Sequence, residues 1–184
     1  DRSFVIAIAY IKTEPVQVAL FGLVLLGDRV TPLLALAILI ATAGVVVMSL
    51  KPGAAQAGGV KPTLMGLVSG GMFGLSAIGY RGAILSLGLH EHFVLAATFT
   101  LTVGLVFQAV LLSAWLALRD PKILTAIFQS WKPSLFAGFM GALASQFWFL
   151  GFAIATAASV RTLALVEVLF AQAISKCSFK QPTS

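Results

Sequence analysis

The sequence predicts an all-α integral membrane protein, a helical bundle of six spans. Three observations lead there. The chain of 184 residues is 59% hydrophobic and 10% charged, with a mean hydropathy of +1.02. A soluble domain carries about 25% charged residues, so this chain lacks the polar side chains to coat a globule in water. The apolar residues fall in runs of 19 to 26, and a helix needs about 20 residues to cross the hydrocarbon core of a bilayer. Finally, 12 of the 18 charged residues lie outside those runs, as expected where a charge at mid-bilayer costs at least about 2.5–3.5 kcal/mol. Such a composition excludes a soluble enzyme, a disordered tail and a disulfide scaffold; the single Cys177 cannot form an internal disulfide. The net charge of +6 and pI of about 9.9 raise nucleic acid as a partner. The cations flank the apolar runs instead of forming a stripe, however, so no nucleic acid is expected.

The first predicted span is Ser3–Leu26, closed by the turn Gly27-Asp28-Arg29. The second, Pro32–Leu50, opens on a proline suited to the first helical position. A Gly/Ala-rich loop from Lys51-Pro52-Gly53 through Lys61-Pro62 leads to the third, Leu64–Leu87. The fourth is Phe93–Leu118, stopped by Arg119-Asp120-Pro121; the fifth, Pro133–Ala153, follows Trp131-Lys132. Trp115 and Trp131 then sit at one interface, as an aromatic belt requires. The sixth is Thr156–Phe179, divided from the fifth within Ile154–Ser159, because an unbroken helix from Pro133 to Phe179 would far exceed one bilayer. Unpaired backbone groups are not tolerated in lipid, so each span is a helix. The runs are too long and too evenly apolar for barrel strands. Small residues share helix faces at Gly66, Gly70 and Gly74, and at Gly138, Gly141, Ala142 and Ser145; both sets read as packing seams.

Six charges remain inside the spans: Lys12, Glu14, Arg81, Arg161, Glu167 and Lys176. Glu14 and Glu167 each lie 11 residues into their span, near mid-depth, and an intramembrane carboxylate marks a functional site by default. The opposing reading is a buried carboxylate paired with a basic neighbour. Arg81, Arg161 and Lys176 are close enough to span ends to snorkel. Neither Lys12 with Glu14 nor Arg161 with Glu167 shares a helix face, so any partner comes from another helix. Gln17 lies one turn after Glu14 and shares its face; Gln108, Gln146 and Gln172 are further polar candidates or interhelical glue. Substrate- or proton-binding candidates are therefore Glu14, Glu167, Gln17 and Arg161.

Laying Glu14 on Glu167, an offset of 153, brings the polar turn after the first span onto the end of the chain. The two helices are five steps apart and so run in opposite directions, as in the inverted repeats of secondary transporters.

Thr13-Glu14-Pro15-Val16, then Leu25-Leu26-Gly27-Asp28-Arg29, then Ala43-Gly44-Val45-Val46-Val47 resembles the end of an EamA-type repeat of the drug/metabolite transporter (DMT) superfamily. The stretch from Ala158 to Glu167 is similar to the ninth helix of that family. Asp28 stands where the family pattern has Glu, and Lys180-Gln181 where it has Gly-Glu. The resemblance implies helices four to nine of a ten-helix inverted-repeat transporter. Residues 1–50 would end the first repeat, 51–63 would link the repeats, and 64–184 would form the second repeat without its last helix. With Asp1 in place of Met, the chain reads as a fragment or processed product. The basic residues alone put its N-terminus in the cytoplasm, whereas the family topology starts helix four outside; the latter is expected of the full protein.

The expected function is transport of a small-molecule metabolite or drug across the plasma (bacterial inner) membrane by alternating access. Glu14 and Glu167 would bind a cationic group or carry a coupling proton. A lipid flippase or a non-catalytic assembly subunit is the alternative. An intramembrane enzyme is disfavoured: no Asp lies in any span and no H-E-x-x-H occurs. His90, Glu91 and His92 read as a solvated turn, not a metal site. No cofactor motif is present. The expected partners are a small-molecule substrate and the lipid bilayer, with a homo-oligomer open.

Overall fold

The computed structural model of the chain describes residues 11, 13–49, 60–167 and 170. Among them the architecture is all-helical, with no strand. Helix α1, Glu14–Phe21, follows a turn at Thr13 and has Pro15 in its first turn, where a missing N–H goes unnoticed. It runs on as a π-helix, Gly22–Leu26, and stops at Gly27 in the left-handed conformation, φ 69°. A side chain there would cost about 1–2 kcal/mol. Helix α2, Pro32–Ser49, begins at the expected proline, with Leu34 N–H donating to Thr31 Oγ1 at 3.2 Å.

Helix α3, Val60–Ser86, starts four residues before the predicted span. Lys61 and Pro62, expected in the loop, form its first turn, a position where proline is tolerated. After Gly88 (φ 66°) and a 3-10 turn at His90–His92 comes α4, Phe93–Arg119. Between the fourth and fifth predicted spans the structure has a further helix, α5, Pro121–Gln129. Nine residues cannot cross a bilayer. Yet Asp120 is non-helical, Pro121 opens the helix, and Ile123, Leu124, Ile127 and Phe128 repeat at helical spacing. Helix α6 is Trp131–Ile154. The break foreseen within Ile154–Ser159 falls at Ala155-Thr156, and Thr156 caps α7, Ala157–Ala164, by accepting from Ser159 N–H at 3.3 Å.

Helices α3, α4 and α6 are long and apolar enough to cross a membrane, and they mark the chain as a membrane protein. Glu14–Leu26 and Pro32–Val47 are shorter apolar helices. Most of the predicted first half-span and of the sixth span beyond Glu167 lies outside the described residues, as do Lys12, Gln172 and Lys176.

The chain forms two compact units, residues 1–79 with 155–184, and residues 80–154. In the first, α1, α2 and α7 pack on one another. The glycine face of α3 meets α1 there. A Cβ on Gly74 would stand 3.1 Å from Val18 and 3.4 Å from Phe21, and one on Gly70 3.3 Å from the Ile11 carbonyl. That seam exists because the residues are small. In the second unit α4 and α6 run alongside each other, with α5 against both. The Tyr80 and Phe149 rings pack at a tilt of 49° with centroids 4.8 Å apart, and Gly104 leaves the Tyr80 ring room. The second predicted seam differs: among the described residues nothing lies within 4 Å of a Cβ built on Gly138 or Gly141. Spacing shows that small residues share a face, not that a neighbour meets it.

The polar residues of the second unit act as interhelical links. Gln108 donates to the Tyr80 hydroxyl at 3.0 Å, and Gln146 to Thr98 Oγ1 at 2.9 Å. Arg81 does not snorkel. It is 9% exposed, and its guanidinium donates at 2.6 Å to the Phe152 carbonyl, in the last turn of α6. Those carbonyls lack intrahelical partners and form the negative end of the helix dipole, so a cation there satisfies both needs.

Candidate functional site

The site builds from the start of α1 and the end of α7, both in the first unit. Pro15 has no N–H and its ring excludes the carbonyl four residues earlier. Ile11 is helical, Thr13 forms a turn in which Val16 N–H bonds Thr13 O at 3.1 Å, and α1 begins at Glu14. Helix α7 ends at Ala164, and Leu165 and Val166 form turns with N–H bonds to Thr162 O and Leu163 O, both at 3.1 Å. The backbone is helical again at Glu167. At the offset of 153, Thr13 answers to Val166, so each carboxylate follows directly on an interruption.

Glu14 is 6% exposed. Its Oε2 accepts a charge-assisted hydrogen bond from Arg161 Nη2, a partner from another helix, as its own helix offered none. The guanidinium also lies 6.0 Å from the Phe73 ring centroid, within cation–π range. Arg161 thus spans from a carboxylate to an aromatic face and does not reach away to the interface. The other carboxylate oxygen, Oε1, is buried and has no hydrogen-bond partner among the described residues. Such an acceptor is expensive in a packed interior, about 1–3 kcal/mol and more for a charged group, so its retention points to a task.

Gln17 sits beside this pair, and its amide serves the backbone. Nε2 lies 3.4 Å from Thr13 Oγ1 and donates at 3.3 Å to Leu67 O on α3. Gly71 makes this reach feasible, since a Cβ there would lie 2.8 Å from Gln17 Oε1. Glu167 stands exposed beyond the second interruption, so the two carboxylates have unlike surroundings despite their matching positions in the sequence.

Sequence reasoning missed Thr42. It is 7% exposed on α2, and its hydroxyl, also buried, has no partner among the described residues. A helical threonine normally bonds the carbonyl one turn back. The signal was available: Thr42 is the lone polar side chain from Pro32 to Val47. A cavity of about 220 Å³ opens between α2 and α7, walled by Ile40, Gly44, Val45, Thr162 and Leu165 among others. Thr162 adjoins Arg161, and Leu165 belongs to the interruption. The lining is apolar, because the Thr162 hydroxyl is spent on Ala158 O at 2.7 Å. No group of three or more metal-ligating side chains occurs among the described residues.

Comparison with family models, with curated proteins and with solved structures yields no match in any of the three.

Proposed function

We propose that the chain is the central part of an alternating-access transporter of the EamA type, moving a small molecule across the plasma membrane. Glu14 and Arg161 form its exchangeable charge site. In this reading the six spans are the three long helices α3, α4 and α6, the helix α2, and two interrupted helices, one ending in α1 and its π segment, the other beginning with α7. The observation that carries the proposal is the buried Glu14 carboxylate: one oxygen is held by Arg161, and the other is unpartnered. A fixed, saturated ion pair would be structural. A half-satisfied carboxylate has an acceptor left for a proton or a cationic substrate group, and either would compete with Arg161 for the charge.

Interrupted helices at matching positions of two repeats are where transporter folds place their sites, because irregular backbone is tolerated in a membrane only where it is buried or lines a cavity. Glu14 and Glu167 follow such interruptions, and the cavity beside Thr162 and Leu165 offers an apolar wall for the rest of a substrate. No step in this reading requires catalysis or a cofactor.

The test is flux through the reconstituted full-length protein. Water-soluble amines and amino acids form one panel, fluorescent phospholipids the other. Glu14→Gln keeps the shape and removes the charge, so flux normalised to folded protein is expected to fall at least about tenfold, an amount worth about 1.4 kcal/mol of coupling. Parental flux in the Gln variant would overturn the site, and lipid scrambling without solute flux would replace the transporter by a flippase.

A further inference from the structure

The segment from Trp115 to Lys132 presents an arrangement that the transport reading does not use. Helices α4 and α6 are antiparallel and joined by α5, so Trp115, one turn from the end of α4, and Trp131, the first residue of α6, lie at the same end of the second unit. Both are more than half exposed. Each ring carries a cation: the Arg119 guanidinium is 5.0 Å from the Trp115 centroid, and the Lys132 ammonium 5.6 Å from that of Trp131. Lys122 adds a third cation in the first turn of α5. Asp120 is the one acid in this stretch, and among the described residues no carboxylate pairs with any of the three cations.

Helix α5 has two faces. Ile123, Leu124, Ile127 and Phe128 fall within one half of the helical wheel, with Lys122, Thr125 and Gln129 opposite. Ile123 and Ile127 are exposed, Phe128 is 75% exposed and Leu124 is half-buried, so among the described residues most of this apolar face is uncovered. A short helix with an uncovered apolar face, between two membrane-crossing helices and flanked by Trp and basic residues, has the make-up of one lying in the plane of the membrane interface. There the apolar face enters the acyl boundary and the tryptophans sit at headgroup level.

We propose that Arg119, Lys122 and Lys132, with Trp115, Trp131 and the apolar face of α5, form a site for anionic phospholipid headgroups. Three cations against one acid make the patch electropositive, and only a negatively charged headgroup supplies the missing partner; a zwitterionic one offers a phosphate already paired with its own ammonium. The aromatic rings hold two of the cations in place before the lipid arrives. The inference does not depend on whether the protein transports anything.

The experiment uses the full chain in bilayers with Trp148→Phe, so that fluorescence reports Trp115 and Trp131 alone. Brominated phosphatidylglycerol and brominated phosphatidylcholine are titrated separately as quenchers. Phosphatidylglycerol is expected to quench at markedly lower mole fraction. The preference should vanish in high salt, which screens exposed charge, and in the triple variant Arg119→Gln, Lys122→Gln, Lys132→Gln. About 1 kcal/mol per cation near the surface corresponds to a loss on the order of a hundredfold in relative affinity. Phe128→Ser should move the emission to longer wavelength with the charge preference kept. Equal quenching by the two lipids, or a preference retained by the triple variant with its helical content intact, overturns the proposal. Absence of quenching by either lipid means that a protein surface covers the face, and overturns it as well. Inorganic phosphate competing as well as phosphatidylglycerol would reduce the site to simple anion binding and would also overturn it.

Discussion

Glu14 and Arg161 depend on each other unequally, since the carboxylate is almost wholly buried while the guanidinium side chain is 22% exposed. Removing the arginine strands a charge with no way to water. Arg161→Gln is therefore expected to destabilise the protein by about 3–5 kcal/mol. Glu14→Gln leaves a cation that still reaches the Phe73 ring and partly reaches solvent, so its loss is smaller. The double variant should recover much of what Arg161→Gln loses. Reversible unfolding in mixed micelles, read as a double-mutant cycle, measures the coupling; additive single effects would show that the pair is not coupled in the folded protein. Arg81 is the contrasting case. Its partner is a backbone carbonyl at a helix end, which gives it a structural role that the sequence does not distinguish from that of Arg161. Both are arginines five or six residues from a span end; only the packing separates a helix cap from half of a charge site.

Among the elements, helix ends and helix contacts make different demands. Thr156 caps α7 through its hydroxyl, which meets both Ser159 N–H and Ser159 Oγ. Thr156→Ala should cost about 1 kcal/mol, seen as a lower unfolding midpoint, and Thr156→Ser should restore it. The two glycine faces should answer differently to the same change. Gly74→Val drives a branched side chain into Val18 and Phe21, and overpacking of that kind costs about 1–3 kcal/mol. Gly138→Val meets open space, and its unfolding midpoint should remain near the parent's. A midpoint lowered equally by both would mean that Gly138 faces a partner after all. The helix boundaries themselves were largely legible. Prolines and glycines that set backbone angles ended the helices near where the sequence places them, at Gly27, Pro32, Gly88 and Asp120-Pro121. Helix α5 is too short to stand out by run length, and only the helical spacing of Ile123, Leu124, Ile127 and Phe128 marks it in the sequence.

At the scale of the molecule, large apolar side chains lie exposed along every long helix, among them Phe107 on α4 and Phe136, Phe139 and Phe147 on α6. In water such a surface would aggregate; in lipid it needs no cover. Cysteine labelling from the aqueous phase checks this directly. Thr125→Cys, on the polar face of α5, should react with a membrane-impermeant maleimide, and Ala142→Cys, midway along α6, should not. Fast modification at Ala142 would mean that α6 borders water and does not cross the bilayer.

The sequence alone determined that the chain is helical and lives in a membrane, because both follow from composition and run length: lipid admits no unpaired backbone, and 18 charges in 184 residues leave no other solvent. It also singled out Glu14, since a carboxylate in an apolar run stands out wherever the chain folds. Partnership was decided only by the tertiary structure. That Arg161 pairs with Glu14 across 147 positions, that Gln17 reaches the α3 backbone, that Thr42 is buried with an idle hydroxyl, and that Glu167 stands exposed while Glu14 does not all depend on which faces of different helices meet. Hydropathy is averaged around a helix and carries no record of its neighbours, so contacts between helices are settled by small residues, caps and interruptions acting together, after the spans themselves are fixed.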